Sequence, residues 1–311
     1  MKIVSLINYK GGVGKTTLTA NLGAQFAKSG KRVLMVDLDP QASLTFSFMS
    51  QDEWAEKYAD SKTIKAWYDA FIDKDKEFSV ENLLVRPVKV APYVKAGDLA
   101  LICSHLNLIN VDLELATRLV GGTLRDIQNN FLRVHSRLKA GLESLKDKFD
   151  VVLIDCPPNF NIVTKTALVA SDYILVPTKA DYLSTIGFDG LHLNVEALRK
   201  TFNEYAAASN DGMALMNPQW LGIVFTMVNL RLGEPIRAQR GYVKTIIDRS
   251  NELLGKDIVF EEYIRENKTR HADAPENAIP VVLEYVAGTT YEQVRGELID
   301  LASAVQKRMQ L

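Results

Sequence analysis

The sequence predicts an α/β fold, a doubly wound and mainly parallel β-sheet with helices on both faces. A short apolar run at Ile3–Ile7 is followed by a glycine-rich turn and then by apolar residues at helical spacing. Further apolar runs at Val33–Val36 and Val151–Ile154 are apolar on both faces, and each ends in an aspartate. Buried parallel strands have this pattern, and open α/β sheets bind ligands at the carboxyl ends of their strands. We expect residues 1–311 to form a single domain.

The glycine-rich turn reads Tyr9-Lys10-Gly11-Gly12-Val13-Gly14-Lys15-Thr16-Thr17. Strand, turn and helix together predict a phosphate-binding loop, because glycines let backbone N–H groups converge on an anion and the helix N-terminus adds positive charge. Lys15 can reach the β- and γ-phosphates, and the Thr16 hydroxyl can ligate Mg²⁺. A turn that only links a strand to a helix is the alternative. The residues expected to bind the nucleotide are Gly11, Gly12, Val13, Gly14, Lys15, Thr16 and Thr17.

The turn departs from the common loop, in which four residues separate a first glycine from Gly-Lys-Ser/Thr. Tyr9 stands at that first position, and a second lysine, Lys10, precedes the glycines. In this the sequence resembles the ParA/MinD family of P-loop ATPases, whose deviant Walker A motif typically carries such a signature lysine. The resemblance implies ATP and Mg²⁺ as cofactors. It also implies a homodimer in the ATP state, in which Lys10 reaches the nucleotide of the other subunit.

The second buried strand, Arg32–Asp37, runs into Asp37-Leu38-Asp39-Pro40-Gln41. Two acids at the carboxyl end of a strand lie at the ligand-binding edge of such a sheet. This segment resembles the switch I segment of the family, which implies that Asp39 positions or activates the attacking water and that Asp37 supports the Mg²⁺ shell. The alternative is that both acids only solvate a loop.

The stretch from about residue 50 to 98 has the weakest pattern and is expected to be a less regular insertion. Its aromatic residues, scattered among charges, favour a local core over a base-stacking surface. We expect a short helix at Thr63–Phe71, extended chain at Val88–Val94 and a third buried strand at Leu99–Cys103.

The segment Phe149–Pro158 is the second strong signal, because its apolar run ends in Asp155. Such a Walker B strand places a carboxylate beside the phosphate loop, where it holds Mg²⁺, usually through a water. Its distance from the first loop suits a third or fourth strand of one sheet.

The composition sets limits on partners and compartment. The net charge is −1, so any nucleic-acid-binding surface must be local. The two cysteines, Cys103 and Cys156, are far apart in sequence, which suits a reducing cytosol and gives no metal pattern. We see neither a leader peptide nor an apolar run approaching the ~20 residues that cross a bilayer. We therefore expect a cytoplasmic protein with no membrane partner.

The segment Leu221–Asn229 predicts a strand that resembles the family element approaching the nucleotide base. The resemblance implies that Met227 and Asn229 contact the base, although the family usually has aspartate at the position of Asn229. The chain from Arg231 to Arg270 is rich in basic residues, with acids interspersed.

Part of this basic block has helical spacing. Arg237, Arg240 and Lys244 recur three and four residues apart, which aligns them on one helical face. Family members that bind DNA without sequence preference use basic residues in this region, and phosphate contacts need only correct charge placement. A solvated helix face is the alternative. The candidate DNA contacts are Arg231, Arg237, Arg240, Lys244, Lys268 and Arg270.

The resemblance implies a ParA-type ATPase, closest to the Soj-like partition ATPases that lack an N-terminal helix-turn-helix domain. Lys10, Lys15 and Asp39 would be catalytic, hydrolysis would be slow, and a ParB-like protein would stimulate it. The protein would bind DNA non-specifically in its ATP state, associate with the nucleoid and act in plasmid or chromosome partition or cargo positioning.

Three alternatives use the same loop. A MinD-like membrane-associated ATPase would need a lipid-binding tail, whereas we expect the last helix, Thr290–Met309, to pack on the sheet. A nitrogenase-reductase-type carrier would need cysteines that bridge an iron–sulfur cluster between subunits, and Cys103 and Cys156 do not match that arrangement, since Cys156 is adjacent to Asp155. A biosynthetic P-loop ligase would act on a small metabolite.

Overall fold

The computed structural model describes residues 1–74, 78–209, 212–267 and 276–311. The strands in these ranges are short, apart from one of ten residues. They are β1 Lys2–Leu6, β2 Arg32–Asp37, β3 Asp98–Ile102, β4 Val151–Asp155, β5 Tyr173–Thr178, β6 Gln219–Val228, β7 Leu230–Arg231, β8 Glu234–Pro235 and β9 Ile264–Arg265.

Helices connect the strands and cover both faces of the sheet. They are α1 Lys15–Lys28, α2 Ser43–Phe46, α3 Gln51–Lys57, α4 Ile64–Lys74, α5 Leu108–Thr117, α6 Leu124–His135, α7 Arg137–Glu143, α8 Ile162–Ala170, α9 Tyr182–Ser209, α10 Arg237–Leu254 and α11 Thr289–Met309.

Within the described residues, seven strands form one sheet in the order β3-β2-β4-β1-β5-β6-β9, and every pairing in it is parallel. The expected doubly wound sheet is therefore confirmed. The register pairs Leu6 with Asp155 and Asp37 with Asp155, so β1, β2 and β4 end side by side. This register brings the glycine-rich turn and both aspartate-bearing strand ends to one edge.

Two apolar layers enclose the sheet. On one face, α1 and α11 pack together with the strands, and the apolar stripe of α11 is buried there, including Val294, Leu298 and Val305. On the other face, α4 to α10 contribute to a second core that includes Trp67, Leu142 and Phe202. The expectation that the last helix packs on the body of the protein is confirmed. None of the helices in the described ranges is long and apolar enough to span a membrane.

The insertion after α2 contains α3, α4 and two 3-10 turns, at Val80–Leu83 and Val88–Tyr93. The expectation of extended chain at Val88–Val94 is wrong, because the fixed proline φ suits a 3-10 turn as well as an extended segment. The aromatic residues of the insertion are core residues, as expected, but they join the two main cores rather than a separate local one. Trp54 is buried in the layer that contains α1 and α11, and Trp67, Tyr68 and Phe71 are buried in the layer on the other face.

Candidate nucleotide site

The loop between β1 and α1 has the backbone of an anion cradle. Gly12 and Gly14 have φ of 65° and 80°, a region that side chains disfavour. A Cβ atom at Gly11 or Gly12 would meet no described atom within 4 Å, so the loop backbone faces open space. Gly14 is the N-cap residue of α1 and, having no side chain, makes no capping hydrogen bond to the first N–H groups of the helix. The first N–H groups of α1 are therefore available to an anion.

The far side of the loop is fixed by β6. Thr226 Oγ1 lies 2.8 Å from the Val13 carbonyl oxygen and 3.1 Å from that of Thr178. This buried hydroxyl connects the phosphate loop to the ends of β5 and β6. Thr226 stands beside Met227 in the segment that resembles the family element, but its partner could not be predicted, because the contact spans more than 200 residues of chain.

Lys15 is buried at the start of α1, and its ammonium group lies along the inside of the loop. Nζ donates hydrogen bonds to the carbonyl oxygens of Asn8 at 3.1 Å and Lys10 at 3.3 Å. Burial lowers the pKa of Lys15, while the nearby Asp155 carboxylate opposes that shift. Phosphate oxygens entering the loop would meet a preorganised cation.

Thr16 and Asp155 form the metal-side pair that the sequence predicts. Thr16 Oγ1 donates to Asp155 Oδ2 at 2.6 Å. The other carboxylate oxygen, Oδ1, is buried and has no hydrogen-bond partner in the described part of the chain. Burial, and then the charge of Asp37, raise the pKa of Asp155 well above its usual value. An unpaired buried carboxylate oxygen is costly, and a divalent cation would compensate it, so this donor set fits Mg²⁺.

Asp37 is fully buried beside Asp155 and is engaged by its own loop. Its Oδ2 accepts hydrogen bonds from the backbone N and the Oγ1 of Thr45, both at 2.8 Å, and Oδ1 accepts from Asp39 N at 3.1 Å. Burial raises the pKa of Asp37 to about 7. These contacts make Asp37 the anchor of the segment that carries Asp39. Its support of the metal shell stays a prediction, and the geometry makes that support indirect.

Asp39 faces the phosphate loop across a cleft of about 450 Å³. Its Oδ1 accepts from Gln41 N at 2.9 Å, and its backbone carbonyl accepts from Ser104 Oγ at 2.7 Å. Ser104 N in turn donates to Thr45 Oγ1 at 2.9 Å. Sequence reasoning assigned no role to Ser104 or Thr45. The one available signal was the position of Ser104 just after a strand, at the ligand-binding edge.

Met227 lines this cleft and also a smaller apolar cavity beside it, shared with Gly14, Thr17 and Ile264. This is where the expected base contact of Met227 could form. Asn229 lies apart: it is exposed and lines neither cavity. Its backbone bonds to Gln239 and Ile236 instead, joining the end of β6 to α10. Base contact by Asn229 stays a prediction.

Lys10 does not line the cleft formed by the rest of its loop. Its Nζ forms an ion pair with Asp181 Oδ2 at 2.5 Å, at the start of α9. The residue that replaces the usual first glycine, Tyr9, accepts a hydrogen bond from Asn194 Nδ2 at 2.7 Å and packs edge-on against Phe160.

Arg237, Arg240 and Lys244 are exposed on α10, while Val243 and Ile246 of the same helix are buried. Arg231 is exposed in β7. Of the six expected DNA contacts, Lys268 and Arg270 lie outside the described residues.

Two other arginines of the basic block have structural partners. Arg249 pairs with Asp189 of α9 at 2.7 Å, and Arg265 pairs with Glu297 of α11 at 2.6 Å. These two side chains tie helices together. Arg240 also has a structural contact, since its Nε donates to the Pro235 carbonyl oxygen at 2.7 Å, but it is exposed like Arg237 and Lys244. These exposed cations of α10 are the better candidates for an external anion.

The pattern of the AAA domain family matches residues 1–207. The sporulation initiation inhibitor protein Soj of Bacillus subtilis is 30% identical over 285 residues, covering 91% of this chain and 90% of that protein. The chromosome-partitioning ATPase Soj of Treponema pallidum is 27% identical over 301 residues, covering 96% and 97%.

Among solved structures, a variant of McdA from Cyanothece in complex with ATP has a TM-score of 0.70 at 18% identity, covering 100% of this chain and 97% of that one. This likeness shows a shared fold, and the sequence match to Soj shows the closer kinship. The chain belongs to the AAA domain family of P-loop ATPases and, within it, to the Soj/ParA group.

Proposed function

We propose that this protein is an ATP-dependent, dimerising ATPase of the ParA type, which binds DNA non-specifically in its ATP state and moves or positions a cargo, plasmid or chromosome. The observation that carries the proposal is that the two lysines of the loop lie in different places. Lys15 lies inside the glycine-rich loop and lines its cleft, whereas Lys10 of the same loop does not line that cleft and pairs with Asp181.

Mg²⁺ and ATP fit the site. ATP would supply the phosphoanhydride bond that is hydrolysed, and Mg²⁺ would neutralise charge on the phosphates. The N–H groups of Gly11–Lys15 and the Lys15 ammonium group bind the phosphates and neutralise charge on them. Thr16 and Asp155 would hold the metal ion. Asp39 orients the attacking water from the opposite wall of the cleft, at the place where Asp37 and Ser104 fix its backbone.

Lys10 is proposed to act in the other subunit. Lys10 does not line its own cleft, and in a face-to-face dimer it would reach the phosphates of its partner. Association would then depend on the nucleotide, because only phosphate-loaded subunits offer both lysines an anion.

Dimerisation would also strengthen the proposed binding to DNA. One α10 presents only a few exposed cations, and each phosphate contact is weak at physiological salt. Two copies held together double the basic surface and bind as one unit, with a gain that far exceeds additivity. A DNA-bound ATP state and a released ADP state would follow, in the cytoplasm and on the nucleoid, with a ParB-like protein stimulating hydrolysis.

The decisive test measures binding to random-sequence duplex DNA with ATP, with ADP and without nucleotide, over a salt series. Binding in ATP alone, weakening steeply with salt, is the expected result. Binding that is absent in all three states would overturn the partition function and favour a biosynthetic ligase, whose ATPase activity would respond to a metabolite. ATP-dependent binding to anionic vesicles instead of DNA would favour a MinD-like role.

A charge-matched pair of variants locates the DNA surface. Changing Arg237, Arg240 and Lys244 together to alanine should weaken ATP-state binding at least tenfold and flatten its salt dependence. The control changes three exposed cations elsewhere: Lys62, Arg125 and Lys200. Equal losses in the two triple variants would show that α10 has no special role.

A further inference from the structure

The ion pair between Lys10 and Asp181 holds the ammonium group of the signature lysine against its own chain. The two side chains meet at 2.5 Å and are 27% and 40% exposed, so the pair lies at the surface rather than in the core. A surface ion pair of this kind is modest in strength and can exchange partners.

Asp181 uses its two oxygens for different purposes. Oδ2 receives the Lys10 ammonium group, while Oδ1 accepts a hydrogen bond from Ser184 N at 2.9 Å in the first turn of α9. The carboxylate therefore caps α9 and holds the lysine at once. Its charge is needed for the second task only, because a neutral amide oxygen can also cap a helix.

The backbone of Lys10 is fixed independently of that ion pair. Its N–H donates to Asn8 Oδ1 at 2.9 Å, and its carbonyl oxygen accepts from Lys15 Nζ at 3.3 Å. Release of the ammonium group from Asp181 therefore requires only rotation of a long side chain. The phosphate loop itself can keep its shape.

The surroundings of Asp181 point to the event that would release the lysine. The next residues of α9 carry large apolar side chains that are strongly exposed: Tyr182 at 64%, Leu183 at 66% and Ile186 at 52%. A second copy arriving at this end of α9 would bring a bound polyphosphate, which attracts the ammonium group more strongly than one carboxylate does.

We propose that Asp181 is a positioning residue that retains Lys10 within its own subunit and thereby restrains ATP-dependent dimerisation. This inference rests on the proposed function, in which Lys10 acts on the nucleotide of the other subunit. Each subunit must break one Lys10–Asp181 pair before its lysine can cross the interface. The threshold for dimer formation is set in part by the strength of that pair.

The test is Asp181→Asn, which removes the charge and keeps an oxygen for Ser184 N. The dissociation constant of the dimer, measured by sedimentation equilibrium with a non-hydrolysable ATP analogue, should fall by up to about fivefold for each lysine released, and so by up to about 25-fold for the dimer. ADP binding by the monomer, measured by calorimetry, should not change. Asp181→Ser, which also caps a helix, should behave in the same way.

Two controls isolate the lysine. Asp189→Asn breaks another ion pair of α9, the one with Arg249, and should leave the dimer constant unchanged. The double variant Lys10→Ala/Asp181→Asn should be as monomeric as Lys10→Ala alone, because no lysine is left to release; dimers restored by Asp181→Asn in that background would show that the substitution acts without Lys10.

The outcomes separate the two proposals. A wild-type protein that dimerises with the analogue, together with an Asp181→Asn variant of equal or weaker affinity, overturns the restraint alone. A wild-type protein that stays monomeric with the analogue overturns the proposed function, and the restraint with it.

Discussion

Replacing Ser104 by alanine tests whether the loop bearing Asp39 is held in place by hydrogen bonds from a neighbouring strand. Ser104 directly follows the bridge residue at the end of β3 and is completely buried. Its hydroxyl donates to the Asp39 carbonyl oxygen at 2.7 Å, and its own carbonyl oxygen accepts from Trp54 Nε1 at 3.2 Å. The insertion that follows α2 thus supports the segment that carries Asp39 through Ser104.

The size of the effect follows from what the substitution leaves behind. Alanine keeps the backbone N–H bond to Thr45. Of the two donors described for the Asp39 carbonyl oxygen, it removes the Ser104 hydroxyl and leaves Ala42 N. Losing a buried hydrogen bond of this kind costs about 1–2 kcal/mol. If that energy holds Asp39 in its working position, kcat for ATP hydrolysis should fall about 5- to 30-fold. KM should change little, because the phosphate loop is untouched.

The assay is steady-state phosphate release with Mg²⁺·ATP, together with urea unfolding to record the loss of stability. Ser250→Ala is the matched control, since Ser250 is also completely buried and its hydroxyl donates to a backbone carbonyl, that of Ile247 at 2.9 Å. It lies in α10, away from the cleft. Equal effects of the two variants on kcat would refute the positioning role of Ser104.

Three further outcomes can be measured. Lys10→Ala should abolish ATP-dependent dimers in sedimentation, and an unaffected dimer would reject action across the interface. Asp39→Ala should stop phosphate release and accumulate the ATP dimer, whereas normal turnover would remove Asp39 from the mechanism. Burial lowers the pKa of His135 to about 4, so between pH 6.5 and 4 the unfolded chain binds a proton that the folded chain does not. The free energy of unfolding should therefore decrease as the pH falls, by up to about 1.4 kcal/mol per unit from this group, and His135→Leu should lack that component in urea titrations.

The predictions from sequence are most accurate where the local pattern is strongest. The glycine-rich turn, with a strand before it and a helix after it, is enough to place Lys15 and Thr16 at one site. The aspartate that ends the fourth strand was expected beside Thr16, and the two side chains are joined by a 2.6 Å hydrogen bond. Such predictions succeed because glycine content, apolar runs and strand ends are local properties of the chain.

Other parts could not be predicted, either because a residue permits two conformations or because the contacts join distant segments. Val88–Tyr93 forms a 3-10 turn where extended chain was expected, since proline permits both. The roles of Ser104 and Thr226 depend on partners more than 60 and 200 residues away. No periodicity or composition in the neighbourhood of either residue signals such a partner.

The sequence by itself determined the fold class, the phosphate loop and the two acidic strand ends, because these follow from which residues stand next to one another. Only the tertiary structure decided how those groups are restrained. It showed that Asp37 anchors the segment of Asp39, that arginines such as Arg249 serve the scaffold, and that Lys10 is held by Asp181. The physical reason is that hydrogen bonds and ion pairs depend on distances of a few ångströms, and the packing of strands and helices sets those distances between residues far apart in the chain.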